Sequence, residues 1–219
     1  MMKLFTLTVM AGTLLAAVTQ AATPNSGHAG HDAHAHHTPM QAETVDHGHS
    51  LFHLGADWRT QAGGPFRLEE LAGRPTIITM IYGSCTTACP VLVNDARRID
   101  RAVPEAIRDE LQVVIVSFDP ARDTPERLAD YAADYEVDPE RWQFLHGDPA
   151  DIRTLAAMLG VRYRDNGDGT FDHSNVVTLL DAQGRIVERN EGLARPVEPI
   201  VEALVKLRGT RQAAGMAAW

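Results

Sequence analysis

An unbroken run of apolar and β-branched residues from Pro75 to Tyr82 stops at Gly83-Ser84-Cys85, and apolar positions then resume at a different period. The run has the character of a strand buried on both faces. Leu92, Ala96, Ile99 and Val103 instead share one helical face, with Pro90 suited to a first turn. Leu111 to Phe118 predicts a second buried strand. Thr124-Pro125-Glu126 has the order of an N-cap, a first-turn proline and an early acidic residue, which opens a helix through about Tyr135. Gln143 to His146 reads as a short strand. Ile152, Leu155, Ala156 and Leu159 mark a helix that Gly160 ends. Asn166 to Gly169 is a loop by its turn residues. Asn175 to Leu180 and Arg185 to Arg189, joined by Asp181 to Gly184, predict a hairpin, and Ile200, Val201, Leu204 and Leu207 a last helix. Strands alternating with helices and ending in a hairpin plus helix predict an α/β domain over 51–208, a mixed sheet flanked by helices. No internal repeat is visible.

The ends of the chain have other compositions. Lys3 precedes an apolar run from Leu4 to Val18, and the small residues of Thr19-Gln20-Ala21-Ala22 follow, the pattern of a secretory signal over 1–22. Its length of about 15 residues falls below the roughly 20 of a membrane span, so cleavage is expected, with an uncleaved anchor as the alternative. No cysteine near the cleavage region could take a lipid. The expected location is outside the cytoplasm, in the periplasm. Residues 23–50 hold His28, His31, His34, His36, His37, His47 and His49 and no Lys or Arg, a composition expected to stay disordered. Two readings stand for this leader, a weak multivalent metal collector and a solvated linker. Gly209 to Trp219 reads as a loose tail. A net charge of -9 excludes nucleic-acid binding, which needs clustered Lys and Arg.

Only two cysteines occur, Cys85 and Cys89. In an exported chain a structural disulfide is the plain reading. A loop this short, however, stabilises by only about 2 kcal/mol on the chain-entropy model, so redox or metal chemistry explains the pair better. Cysteines four apart across a first helical turn share a face and could bridge each other or pinch one ion. Unpaired N–H groups at a helix start favour thiolate, both the nucleophile and the metal ligand. Two thiolates suit a soft ion, and an added imidazole gives a set that serves Cu(I) and still holds Cu(II). Structural zinc normally takes four protein ligands, and the folded part offers no second cysteine pair or paired histidine. His173, beside a glycine-rich loop and just before a strand, is the candidate imidazole. His146 closes a strand ahead of a turn and reads as a turn or surface residue.

Cys85-Thr-Thr-Ala-Cys89-Pro90, Ser117-Phe-Asp-Pro-Ala-Arg-Asp-Thr-Pro125 and Asp172-His173-Ser174 resemble, in order and spacing, the three signature segments of the Sco/SenC copper chaperones. The resemblance implies a thioredoxin-like fold in which Cys85, Cys89 and His173 bind one copper. It also implies a part in building the CuA centre of a terminal oxidase, by inserting copper or by reducing the acceptor cysteines. The implied partners are a copper-accepting oxidase subunit or other copper protein and a thioredoxin-like reductant, with membrane contact only through the N-terminal segment. Asp119 matches an acidic family residue near the metal; a turn residue before Pro120 is the other reading. Phe118 stands where the family often has a smaller aliphatic residue, and the histidine-rich leader is outside the family pattern. The enzymatic alternative is an exported thiol–disulfide oxidoreductase in which Cys85 attacks and Cys89 resolves, and a peroxidase is a third reading.

Overall fold

The computed structural model describes residues 40–46, 48–213 and 215. The signal sequence and His28, His31, His34, His36, His37 and His47 lie outside the described residues. Strands β1 (Trp58–Thr60), β2 (Pro65–Phe66), β3 (Thr76–Ile81), β4 (Gln112–Ser117), β5 (Trp142–Gly147), β8 (Val176–Leu180) and β9 (Ile186–Glu191) form a seven-stranded sheet in the order β2-β1-β5-β4-β3-β8-β9. Two further strands, β6 (Tyr163–Asp165) and β7 (Phe171–His173), make a separate antiparallel pair. The helices are α1 (Ala88–Ala102), the single turn α2 (Glu105–Arg108), α3 (Pro125–Ala133), α4 (Pro149–Leu159) and α5 (Glu198–Ala213). This is the expected thioredoxin-like mixed sheet flanked by helices.

The long apolar runs occupy the middle of the sheet because helices cover both of its faces there. All residues of β3 and β4 are buried, and the two strands pair in parallel, Ile77 beside Val113 and Ile81 beside Ser117. β8 pairs antiparallel with β3, so the chain leaving β7 enters the sheet beside the end of β3 that leads to the cysteines. Thr124 caps α3, its hydroxyl accepting from the Arg127 N–H at 3.4 Å.

Three features depart from the pattern reading. β1, β2 and the β6–β7 pair escaped it, being at most three residues long and too short to show a period. α5 continues through Gly209 to Ala213, so the start of the expected tail keeps helical backbone, its turns closed by local hydrogen bonds that need no apolar face. The end of the expected leader is docked. Ala42 and Val45 pack on the core, the Glu43 N–H donates to Gly160 O at 2.9 Å, and the Ser50 hydroxyl donates to Gln183 O at 2.5 Å.

Gly160 joins two of these elements. It ends α4 with φ at 66°, in the left-handed region, and a Cβ there would lie 2.5 Å from the Glu43 carbonyl oxygen. Gly160→Ala should therefore cost about 1–2 kcal/mol from backbone strain alone, with loss of amide protection at Glu43. Urea unfolding and hydrogen exchange read both, and an unchanged midpoint would refute the packing argument.

Candidate metal and redox centre

The strand-to-helix junction is built so that sulfur takes over the work of a cap. Thr87, at the N-cap of α1, makes no side-chain capping bond. The Cys89 N–H in the first turn donates instead to Cys85 Sγ at 3.3 Å, and the Tyr82 N–H at the end of β3 donates to Cys89 Sγ at 3.4 Å. The loop is closed by the Cys85 N–H on Tyr82 O at 3.2 Å. Both sulfurs thus accept backbone N–H groups near the positive end of a helix, an arrangement that stabilises negative sulfur. Both cysteines are free, Cys85 slightly accessible at 7% and Cys89 fully enclosed at 0%.

His173 arrives from the other side, as the last residue of β7. Its Nε2 lies 3.8 Å from Cys89 Sγ and its Nδ1 3.1 Å from Ser174 O. A carbonyl oxygen only accepts, so Nδ1 donates to it, and Nε2 is the ring nitrogen turned toward the sulfurs. Ser174 is fixed in turn, donating its N–H to Arg162 O at 2.8 Å and accepting the Arg162 N–H on Oγ at 2.9 Å. The ring is walled by Tyr82 and Phe118, with centroids 5.9 and 5.3 Å away. One ligand atom each from Cys85, Cys89 and His173 lies within 4.8 Å of the others, and among the described residues this is the one cluster of three such groups.

The two thiols differ in character. A hydrogen bond from the Cys89 thiol pulls Cys85 down to about 2, against the opposing effect of burial and with help from His173 and the backbone. Burial, followed by the bond given to Cys85, pushes Cys89 far above the usual thiol range. The pair therefore shares one proton, held on Cys89, and carries its charge on Cys85. Burial and the nearby Cys85 charge push Tyr82 up to about 12.

Asp119 is not among the converging donors. Its Oδ2 accepts from Arg122 Nε at 2.5 Å, and the Arg122 guanidinium sits 5.6 Å from the centre of the Phe171 ring, so its carboxylate braces the strand that carries His173. His146 is outside the cluster as well, its Nδ1 2.9 Å from the Asp123 carbonyl oxygen. Asp123 was overlooked in the sequence, where it reads as a residue before a helix cap. It is fully buried, and its Oδ2 accepts the Gly83 N–H at 2.7 Å and the Ser117 hydroxyl at 2.5 Å. Burial raises its carboxyl above the usual range.

A sequence model of the SCO1/SenC family matches residues 46–208. A candidate copper-binding protein of Stutzerimonas stutzeri is 30% identical over 126 residues, 56% of this chain and 60%, less than two thirds, of the relative. The SCO1 homologue of Bacillus subtilis is 23% identical over 148 residues, 66% of this chain and 76% of that one. Among solved structures, Bradyrhizobium japonicum ScoI with copper bound superposes with a TM-score of 0.55 at 28% identity, covering 70% of this chain and 96% of that one. A SCO1/SenC family lipoprotein of Bacillus anthracis, at 23% identity and a TM-score of 0.62 over 69% of this chain and 91% of that one, shares the fold. With the family model spanning the sheet, the cysteine loop and the histidine strand together, this chain belongs to the SCO1/SenC family.

Proposed function

We propose that this protein is an exported copper carrier that binds one copper ion through Cys85 Sγ, Cys89 Sγ and His173 Nε2 and passes it to a copper-accepting partner, the oxidase subunit that houses a CuA centre. The carrying observation is the convergence of two sulfurs and an imidazole nitrogen within 4.8 Å. This donor set fits copper: soft sulfur selects Cu(I), imidazole tolerates either oxidation state, and structural zinc would want a fourth protein ligand. The copper-bound ScoI and the copper-binding candidate of Stutzerimonas support the same assignment. The signal-like N-terminus supports export to the periplasm.

Three protein ligands leave room for an incoming one. A thiolate of the partner enters beside Cys85, the more accessible sulfur, and displaces the protein ligands one at a time, so the ion is never free. The proton on Cys89 is lost when copper binds and returns when copper leaves, which couples uptake to pH. Oxidising the pair to a disulfide removes two ligands and two electrons, so a thioredoxin-like reductant outside the cytoplasm is part of the proposal.

The asymmetry of the pair favours a second reading, reduction of the partner's cysteines. The Cys85 thiolate attacks the partner's disulfide and forms a mixed disulfide while one partner sulfur leaves. Cys89 then attacks Cys85, releasing the second sulfur; two electrons pass to the partner and an intramolecular disulfide remains.

Metal analysis of the chain purified with and without reductant tests the carrier reading. The expected result is one copper per reduced chain and none per disulfide form. Equal copper in both forms would overturn it.

A further inference from the structure

The cysteine loop is held from behind by a group that neither reading employs. Asp123 Oδ2 accepts the Gly83 N–H at 2.7 Å. That N–H belongs to the Tyr82–Gly83 peptide, whose carbonyl oxygen, Tyr82 O, accepts the Cys85 N–H at 3.2 Å. The preceding N–H, of Tyr82, is the one donated to Cys89 Sγ. A single peptide plane therefore connects Asp123 to the backbone of Cys85, and the neighbouring plane connects to the sulfur of Cys89. Hydrogen bonds in such a chain polarise one another and fix one orientation.

The acid is anchored independently of the loop. Ser117, the last residue of β4, donates its hydroxyl to Asp123 Oδ2 at 2.5 Å and accepts the Asp119 N–H at 3.0 Å. His146 Nδ1, on β5, holds the Asp123 main-chain carbonyl at 2.9 Å. Asp123 Oδ1, enclosed and without a hydrogen-bond partner, lies 2.7 Å from where a Cβ on Gly83 would stand. Only glycine at 83 admits the carboxyl group at hydrogen-bonding distance.

We propose that Asp123, seated against Gly83, is the positioning residue of the cysteine pair: by clamping the Tyr82–Gly83 peptide it holds the N–H groups that stabilise the reduced sulfurs and so sets the reduction potential. The inference rests on Cys85 and Cys89 being the reactive pair and is read without copper. A wild-type chain that binds no metal would sink the carrier reading and leave the clamp standing.

Equilibration of the full chain with a glutathione buffer tests it. Cys85 and Cys89 give up two electrons and the one proton they share to form their disulfide, while one glutathione disulfide takes those electrons, that proton and a second proton from the buffer and becomes two thiols. Asp123→Ala and Gly83→Ala should each shift this equilibrium toward the protein disulfide by about tenfold, a potential about 30 mV more negative, because the reduced form loses its aligned N–H donors. Both changes break one contact, so the double variant should shift no further than the larger single one. Asp123→Asn keeps an oxygen for both donors and should remain within about twofold of wild type. Circular dichroism and thermal unfolding identify variants that fold; if Asp123→Ala does not, Gly83→Ala and Asp123→Asn decide. A folded Asp123→Ala or Gly83→Ala at the wild-type potential, additive single shifts, or an Asp123→Asn shift as large as that of alanine would each overturn the clamp.

Discussion

Replacing His173 by alanine is expected to lower Cu(I) affinity by more than about a hundredfold, beyond the 10–100-fold typical of losing a group that merely supports a ligand, while the chain stays folded. The imidazole supplies the one nitrogen among the three converging donors, and its Nε2 faces the sulfurs because Nδ1 is committed to Ser174 O at 3.1 Å. Without it, two sulfurs remain to hold the ion from one side, and the competing ligands of any chelator find an easier opening. The structural cost is bounded. His173 is buried against Tyr82 and Phe118, so truncation leaves a small void beside rings that already pack on each other. A loss of roughly 1–3 kcal/mol of stability follows from such a substitution. Competition against a Cu(I) chelator of known affinity, with thermal unfolding as control, separates the two effects. Wild-type affinity in a folded variant would remove His173 from the ligand set and leave a dithiol protein.

How much of this was visible in the sequence depended on whether a residue acts through a local pattern or through a distant contact. The strands β3 and β4 were legible because central strands covered on both faces show unbroken apolar runs, and α1, α3 and α4 because a buried face imposes a helical period. Cys85 and Cys89 announced themselves by spacing at a strand-to-helix junction. His173 stood out only through the neighbouring glycine-rich loop and the family-like Asp-His-Ser segment. The pair β6–β7 that carries it was hidden, since each strand is three residues long, too short for the alternation of Phe171 and His173 to stand out as a period. Asp119 drew attention as the acid in the family-like segment, yet the acid hydrogen-bonded to the cysteine loop is Asp123. Nothing local distinguishes the two: each stands near a proline and a turn, and only the folded β4–α3 connection turns one toward Arg122 and the other toward Gly83. Phe118, noted as larger than the usual family residue, is accounted for by the rings it meets at Tyr82, Tyr163, Phe171 and His173.

The unequal thiols lead to the other large expected effect, seen in alkylation of the reduced, metal-free chain. An ordinary thiol with a pKa of about 8.5 reacts about tenfold faster with each pH unit between 5 and 8, following its thiolate fraction. Cys85, drawn down to about 2 by the hydrogen bond from Cys89, is already thiolate throughout that range and should react at a nearly constant rate. At pH 5 its thiolate fraction exceeds that of an ordinary thiol by more than about a thousandfold, but a low-pKa sulfur is the weaker nucleophile per thiolate, so its rate should be only about two- to eightfold higher, and the flat pH profile is the distinguishing signal. Cys89, fully enclosed and holding the shared proton, should stay unlabelled until the chain unfolds or Cys85 is replaced. The Cys85→Ser chain sharpens the comparison: Cys89 loses the negative neighbour that raises its pKa but keeps its burial, so its labelling should rise with pH and remain slow. Mass spectrometry of peptides labelled at pH 5, 6.5 and 8 resolves the sites. Equal labelling of both cysteines at pH 5, or a tenfold rise per pH unit at Cys85, would mean that the proton is not held on Cys89. The entry of a partner's thiolate, or the first attack on a partner's disulfide, would then have no preferred sulfur, and the ordered exchange through Cys85 would fail with it.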